Sequence, residues 1–313
     1  MMRSLYSAIS GLKNHQVKMD VIGNNIANVN TTGYKRSRVT FATTLSQTLK
    51  GASTPSEALG GTNAVQVGMG AILSSIDQIM TQGSSQSTGK TTDIMIQGSG
   101  FFVLDNNGTV YSRAGAFSLD SDGSLIDPST GAKVQGYMFS NETGGETGEQ
   151  DEEISGIKIL IGSGLNNVPF DPEDDTAILE PVLDSYSIDP KGVITGVYIT
   201  PAEIDDEGVV ITPAVTENYK IGQIAIASFA NDAGLQNVGN NFFTESSNSG
   251  APAVGKPGTV GRGAIVSNTV EMSNVDLSTE FTDMIVAQRG FQANSRVITV
   301  SDTLLEELIN LKR

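Results

Sequence analysis

The chain has 313 residues with no cysteine, no tryptophan and a single histidine, which excludes disulfide cross-links, thiol catalysis and Cys/His zinc sites. Its formal net charge of -16 argues against binding to a phosphate backbone, so no nucleic-acid partner is expected. No run of about 18 apolar residues is present, so membrane insertion is not expected either. The first residues also lack the apolar stretch of a cleaved secretory signal.

A helix is predicted at the start of the chain. An apolar residue recurs there every seven positions: Leu5, Leu12, Met19 and Ile26. This spacing places one apolar stripe along a helix, and Ile9 widens it. The helix should end near residues 28–33, where Asn, Thr and Gly favour a turn. Its basic residues would also suit an anionic membrane surface, but three cations are few for that role, so a partner helix is favoured.

Between the two ends of the chain the apolar period changes to two, which predicts β-strands. The predicted strands are residues 93–104, 109–119, 158–161, 193–199 and 219–229. Residues 105–108 and 120–123 contain Asp, Asn and Gly in patterns that favour hairpin turns. Residues 51–70 and 246–263 are rich in Gly, Ser, Pro and Asn, so extended connectors are predicted there.

The acidic side chains are concentrated in the middle of the chain. Residues 142–207 carry seventeen acidic side chains against Lys158 and Lys191, which indicates a hydrated, water-facing surface. The expected division of the chain is residues 1–30 with 277–313 as a terminal helical coiled-coil domain, 31–70 with 264–276 as a connector, 71–144 with 216–263 as a β-rich core domain, and 145–215 as a small acidic outer insertion.

A second long helix is predicted at the end of the chain. Apolar residues again keep a seven-residue interval: Leu277, Met284, Phe291, Ile298 and Leu305. Such an interval, kept over about four heptads, is typical of coiled coils. The two ends carry opposite net charge, +5 for residues 1–40 and -3 for residues 270–313, which favours their pairing. The predicted fold class is therefore α+β, with long N- and C-terminal helices pairing as a coiled coil, plus mainly β outer domains.

The candidate functional residues are those on the apolar faces of the two helices. Each stripe is wider than one short partner helix can cover, so burial would be completed by other copies of the chain. The predicted self-assembly residues are Leu5, Ile9, Leu12, Met19, Ile26, Leu277, Phe281, Met284, Phe291, Ile298, Leu305 and Leu308.

No catalytic residue, cofactor-binding residue or metal ligand is predicted, and we expect a protein that is not an enzyme. His15 is the sole imidazole and lies on a helix stripe, where packing accounts for it. Asp120 begins the spacing of a calcium loop, but Gly131 stands where the bidentate Glu is needed, so a plain hairpin turn is favoured. The glycine-rich pieces at 68–70 and 261–263 lack the third glycine of a nucleotide site.

Several long strings resemble the bacterial flagellar rod and hook axial proteins. They lie at both ends and in the middle of the chain: residues 4–12 (SLYSAISGL), 20–34 (DVIGNNIANVNTTGY), 97–104 (QGSGFFVL), 111–120 (YSRAGAFSLD), 271–277 (EMSNVDL) and 281–295 (FTDMIVAQRGFQANS). The resemblance covers about two thirds of the chain. The string at 281–291 is similar to hook proteins, which favours the hook subunit over the distal rod subunit, although many hook proteins carry a larger outer domain.

The resemblance implies a structural subunit of the flagellar hook, which self-assembles into a flexible helical tube and acts as a universal joint between rod and filament. Implied partners are other copies of the chain, the distal rod protein, the hook cap, the hook-filament junction proteins and the flagellar type III export apparatus. The implied location is extracellular, after export without a cleaved signal peptide. From the residues alone, a secreted adhesin-like binding module with a private helix bundle stays an alternative.

Overall fold

A computed structural model describes residues 2–55, 60–140, 149–150, 153–159, 182–200, 203–204, 210–212, 215–259 and 261–311. The chain divides into two compact units. We call the first the helical unit (Met1–Val29, Lys35–Met80 and Val275–Arg313) and the second the β-rich unit (Asn30–Tyr34 and Thr81–Asn274). Two terminal helices and a mostly β body confirm the α+β class. No helix in the described ranges is both long and apolar enough to cross a membrane.

The helical unit contains two helices and four strands. The elements are α1 (Met2–Ala27), β1 (Ser37–Thr43), β2 (Ser46–Lys50), β3 (Val65–Gly68), β4 (Ala71–Gln78) and α2 (Leu277–Asn310). Helix α1 ends where the predicted turn of Asn and Thr residues begins, and Gly33 in that turn has a left-handed φ of 69°. Both predicted helices are therefore present, and α1 ends close to the expected position.

The two helices pack side by side and run antiparallel. Near the end of α1, Asn25 donates a hydrogen bond to the Glu280 carboxylate in the first turn of α2, at 3.2 Å. Further back along α1, the Lys18 ammonium lies 3.0 Å from the Asp283 carboxylate. Closer still to the chain start, Gly11 lies against Asn294. Residues near the end of α1 thus contact the start of α2, and residues near the start of α1 contact later residues of α2.

The four strands of the helical unit form two antiparallel pairs, and we call residues 37–78, which contain both pairs, the ribbon. β1 pairs antiparallel with β4, and farther out β2 pairs antiparallel with β3. Residues 51–70 were expected to be an extended connector, but β3 lies within them. Val65 and Val67 alternate with Gln66, which is the pattern of a short strand, and this strand pairs with β2. The pattern is short and lies among glycines, so the composition of the segment favoured a connector.

The β-rich unit is built from twenty described strands. They are β5 (Ser85–Ser87), β6 (Ile94–Gln97), β7 (Phe101–Asp105), β8 (Thr109–Ser112), β9 (Ser118–Leu119), β10 (Leu125–Ile126), β11 (Lys133–Ser140), β12 (Glu149–Gln150), β13 (Ser155–Gly156), β14 (Val182–Ile188), β15 (Val193–Thr200), β16 (Glu203–Ile204), β17 (Val210–Thr212), β18 (Val215–Ile224), β19 (Ile226–Ser228), β20 (Gln236–Gly239), β21 (Phe242–Thr244), β22 (Ala253–Gly255), β23 (Ala264–Ser267) and β24 (Thr269–Glu271). A short 3-10 helix spans Asp232–Gly234.

Most of these strands belong to one antiparallel sheet with the order β14-β15-β18-β11-β7-β8-β21-β20. The other described strands form smaller antiparallel pairs, β6 with β23, β5 with β24 and β16 with β17. Its core is a single cluster of buried apolar side chains, with Phe102, Leu104 and Tyr198 among the most buried. Burying each large side chain of this kind contributes about 1.5–3 kcal/mol to folding.

Two predicted hairpin turns are confirmed, and three predicted strands are each divided into two: 93–104 into β6 and β7, 109–119 into β8 and β9, and 219–229 into β18 and β19. β7 and β8 are joined by the turn at residues 105–108, where Asn107 has a φ of 54°, and β9 and β10 by the turn at residues 120–123. The predicted strand at 93–104 is broken into β6 and β7, because Gly98 and Gly100 adopt φ values of 112° and 125°. These values are reached readily only by glycine.

The predicted acidic insertion is described only in part. Residues 141–148 and 160–181, and with them the last two positions of the predicted strand at 158–161, lie outside the described residues. The described portion includes β14 and β15, which pair with each other and continue the main sheet through β18. The predicted connector at 246–263 also contains a strand, β22, because the alternating side chains from Ala253 to Gly255 pair with β19.

Candidate self-assembly surface

Eight of the twelve predicted self-assembly side chains are half-buried. They are Leu5, Leu12, Met19, Ile26, Met284, Phe291, Ile298 and Leu305, which are the residues at seven-residue spacing apart from the first residue of α2. The other four are exposed to water: Ile9, Leu277, Phe281 and Leu308, with half of the Phe281 and Leu308 side chains accessible. The half-buried set thus follows the seam of the helix pair, and the flanking set lies outside it.

Glycines allow the two helices to approach closely. A Cβ atom on Gly11 would lie 2.7 Å from the Asn294 amide nitrogen, and one on Gly290 would lie 2.6 Å from the His15 imidazole. A larger side chain at either position would therefore require the Asn294 or the His15 side chain to move. His15 therefore packs in the seam, and its Nδ1 atom is buried without a hydrogen-bond partner in the described part of the chain.

A buried carboxylate joins α1, α2 and the start of the ribbon. Glu280 is almost fully buried and lies 3.5 Å from the Arg36 guanidinium, in addition to its hydrogen bond from Asn25. The Asn25 amide also holds β1, because it donates to the Ser37 carbonyl at 2.9 Å and accepts from the Ser37 amide at 3.0 Å. These polar contacts specify how the helices and the ribbon fit together, since a charge buried without partners would be costly.

Helix α2 begins at a well-formed cap. The Asp276 carboxylate accepts hydrogen bonds from the Ser278 amide at 2.9 Å and from the Thr279 hydroxyl at 3.0 Å. These bonds, the one from Thr279 first, hold the pKa of Asp276 below its usual range. A carboxyl group with a lowered pKa contributes stability at neutral pH, and that contribution is lost as the pH falls through the lowered pKa.

A second apolar stripe on α2 is left in water. It consists of Val286, Val297, Val300, Leu304 and Leu308, all of which are exposed. Successive spacings of eleven, three, four and four residues place these side chains on one face at about 100° per residue. We call this set the outer stripe. The sequence predicts that Val297, Leu304 and Leu308 widen the apolar stripe of this helix, but of these only Leu308 was among the predicted self-assembly residues, because the seven-residue interval marks the seam and not this second face.

The ribbon presents further apolar side chains to water. The exposed residues are Phe41, Leu45, Leu49, Val65, Val67, Met69, Ile72, Leu73 and Ile76. Sequence reasoning missed this ribbon surface, although the alternation around Val65 and Val67 could have indicated it. Two-stranded ribbons are marginally stable by themselves in water, and large exposed apolar patches are typical of association sites.

The described residues thus define a structural α+β protein whose chain ends form a helix pair with uncovered apolar faces. Three family models match the chain: "Flagella basal body rod protein" at residues 5–35, "Flagellar hook protein FlgE/F/G D1 domain" at 95–196, and "Flagellar basal body rod FlgEFG protein C-terminal" at 266–311. The chain belongs to the family of flagellar rod and hook axial proteins. This family is structural and is not a family of enzymes.

Individual relatives include both rod and hook proteins. The chain is 46% identical to the flagellar basal-body rod protein FlgG of Bacillus subtilis over 315 residues, which cover all of both chains. It is 35% identical to the flagellar hook protein FlgE of Borreliella burgdorferi over 441 residues, again covering all of both chains. The rod protein FlgG of Borreliella burgdorferi is also 35% identical, over 320 residues and with the same full coverage.

Proposed function

We propose that this chain is the structural subunit of the flagellar hook, a flexible helical tube that acts as a universal joint between rod and filament. The observation that carries self-assembly is the apolar surface of the helical unit, namely the outer stripe and the ribbon, which lies in water in the single chain. Burying such surface contributes about 25 cal/mol per Å². A contact between unlike surfaces of two copies that does not close into a ring produces a helical polymer.

The comparison within one organism supports the hook over the rod. For Borreliella burgdorferi, 35% of an alignment 441 positions long is about 154 identical residues with the hook protein, whereas 35% of an alignment 320 positions long is about 112 with the rod protein. The larger number is found although the hook alignment contains more positions without a partner in this chain. The string at 281–291, similar to hook proteins, supports the same assignment.

A distal rod subunit is the second candidate. It is favoured by the 46% identity to the Bacillus subtilis rod protein, which matches this chain over its whole length. Electron microscopy of basal bodies from cells that lack this chain separates the two functions. If the chain is the hook subunit, rods will be complete and hooks absent, and a plasmid copy of the chain will restore hooks. Shortened rods would contradict the hook assignment and support the rod.

Partners and location follow from the hook assignment. The subunit would contact further copies of itself, the distal rod protein at its base, and the hook cap and junction proteins at its far end. It would leave the cell unfolded through the flagellar type III apparatus, without a cleaved signal peptide, and function in the extracellular part of the flagellum. Residues 1–30 and 277–313 would form a coiled coil within the tube, which the antiparallel packing of α1 and α2 and their half-buried heptad positions support.

The remaining domain division is also part of the proposal. Residues 31–70 with 264–276 would connect the coiled coil to a β-rich core of residues 71–144 and 216–263. Residues 145–215 would form the acidic outer surface. Like charges on neighbouring outer surfaces repel one another, so they would let the outer contacts slide while the inner contacts hold.

Neutralising part of this acidic surface is expected to stiffen the tube without preventing its assembly. The variant replaces Asp171, Glu173, Asp174 and Asp175 by the corresponding amides, which removes four negative charges from each copy. Persistence lengths measured on electron micrographs should rise, and the difference from the unaltered chain should shrink at high salt, where charges are screened. A control that exchanges Asp and Glu at these positions keeps the charge. Equal stiffness in all three chains would contradict the proposed role.

A further inference from the structure

The chain crosses between the two units four times. Residues 30–34 belong to the β-rich unit, whereas the chain before and after them belongs to the helical unit. Two crossings therefore flank this short segment, a third lies before Thr81, and the fourth lies after Asn274. Any pull on the β-rich unit through the chain is transmitted at these four points.

Glu271, a buried residue of the β-rich unit, bonds to segments beside three of the crossings and lies shortly before the fourth, which follows Asn274. The Glu271 carbonyl oxygen accepts a hydrogen bond from the Gly33 amide at 2.8 Å. The Glu271 carboxylate accepts another from the Gly83 amide, also at 2.8 Å, and lies 3.3 Å from the Arg113 guanidinium. Three residues after Glu271, Asn274 donates to the carbonyl and the hydroxyl oxygens of Thr81, at 3.2 and 3.0 Å.

A glycine allows the segment at residues 30–34 to pack closely against the backbone of residues 113 and 114. Gly33 has a φ of 69°, and a Cβ atom there would lie 2.5 Å from the Ala114 amide nitrogen. The neighbouring Thr32 carbonyl accepts a hydrogen bond from the Asn241 amide at 3.0 Å. Residues 30–34 (NTTGY) end one of the strings that resemble the flagellar family. In the structure they are the part of the N-terminal chain that packs beside Arg113.

The ion pair at the centre is almost completely dry. The side chains of Arg113 and Glu271 are 3% and 0% exposed. Arg113 also donates to the Gly98 carbonyl at 2.8 Å and stacks over the Phe101 ring at 5.2 Å. A buried ion pair adds little net stability compared with apolar side chains of similar volume, because desolvation offsets the attraction. Stability alone therefore does not account for placing charges here.

We propose that Glu271, held in place by Arg113, is a positioning residue that fixes the four chain crossings at one location on the β-rich unit. The carboxylate fixes Gly83, the carbonyl oxygen of the same residue fixes Gly33, and the short strand β24 that carries both atoms ends where the chain leaves toward α2. The inference does not depend on the choice between hook and rod, since it concerns the single chain.

Hydrogen exchange of the full-length monomer, followed by mass spectrometry, tests this proposal. The variant Arg113→Met with Glu271→Leu removes both charges and the carboxylate while keeping the volume filled. We expect amides in residues 81–84 to exchange at least tenfold faster, because Gly83 loses its carboxylate acceptor. Amides in residues 31–34 should also exchange at least tenfold faster, because the backbone carbonyl of residue 271 is no longer held in place by Arg113, whereas amides of β7 should keep their protection. The control applies the same exchange to an exposed ion pair, Arg38→Met with Asp77→Leu, and should leave both segments unchanged.

Either of two results would overturn the proposal. One is unchanged protection of residues 31–34 and 81–84 in a folded double variant. The other is a uniform acceleration across the whole β-rich unit, which would make the ion pair a general stabilising contact. If the double variant does not fold, Glu271→Gln keeps the shape and one acceptor atom. A faster exchange confined to the same two segments would then support the proposal, and unchanged or uniformly faster exchange would refute it.

Discussion

A chain carrying Val297→Glu and Leu304→Glu is expected to remain monomeric at concentrations where the unaltered chain grows into tubes. Both side chains belong to the outer stripe and are 43% and 46% exposed in the single chain. Glutamate is a good helix former, so the helix content of the monomer should not change. Burying each new carboxylate against apolar surface in the polymer would cost several kcal/mol. Since each 1.4 kcal/mol is a factor of ten, the critical concentration should rise by at least about 100-fold.

The matched control places the same charges on another face of the same helix. Gln292→Glu with Thr299→Glu keeps the seven-residue spacing and the added charge of the first variant, and both positions are exposed. Sedimentation velocity measures assembly, and circular dichroism verifies the helix content. Assembly of the outer-stripe variant at the ordinary concentration would show that this stripe is not a contact between copies. Equal loss in the control would show that added charge alone prevents assembly.

The seam of the helix pair could be predicted because its period belongs to the sequence. The seven-residue interval from Leu5 to Ile26 identified half-buried positions on α1 without knowledge of the partner helix. The same interval did not distinguish the seam from its flanks, so Ile9 and Phe281 were included although the single chain leaves them in water. Whether another copy covers a side chain depends on the polymer, and the periodicity of a single chain does not predict it.

The ribbon and the Glu271 cluster were beyond the reach of local patterns. The ribbon pairs β2 with β3 across a glycine-rich stretch, and strand pairing over that distance depends on tertiary contacts more than on propensity. In the sequence, Glu271 is one acidic residue in the string at 271–277, and no local pattern marks it as special. Its role arises from residues 33, 83 and 113, which are distant in the sequence and meet only in the fold.

Replacing Gly115 with alanine is expected to unfold the β-rich unit at markedly lower temperature. A Cβ atom on Gly115 would lie 1.7 Å from the Ile94 carbonyl oxygen and 3.0 Å from the Phe102 ring. The backbone would have to move, and the hydrogen bond from the Ile94 amide to the Gly115 carbonyl, 2.9 Å long, would be lost. Overpacking combined with a lost buried hydrogen bond costs about 3–5 kcal/mol. For a unit of this size, that lowers the melting temperature by about 10 °C.

Gly156→Ala is the control for this prediction, since a Cβ atom there meets only the Lys133 side chain at 3.8 Å, an ordinary contact. It should melt within about 2 °C of the unaltered chain, because surface substitutions change stability by about 0.5 kcal/mol or less. Calorimetry measures both variants, and circular dichroism follows the helices separately. Because Gly115 lies in the β-rich unit and α1 and α2 make up the other compact unit, the helical signal should outlast the calorimetric transition of Gly115→Ala. Simultaneous loss of both signals would mean that the two units unfold as one.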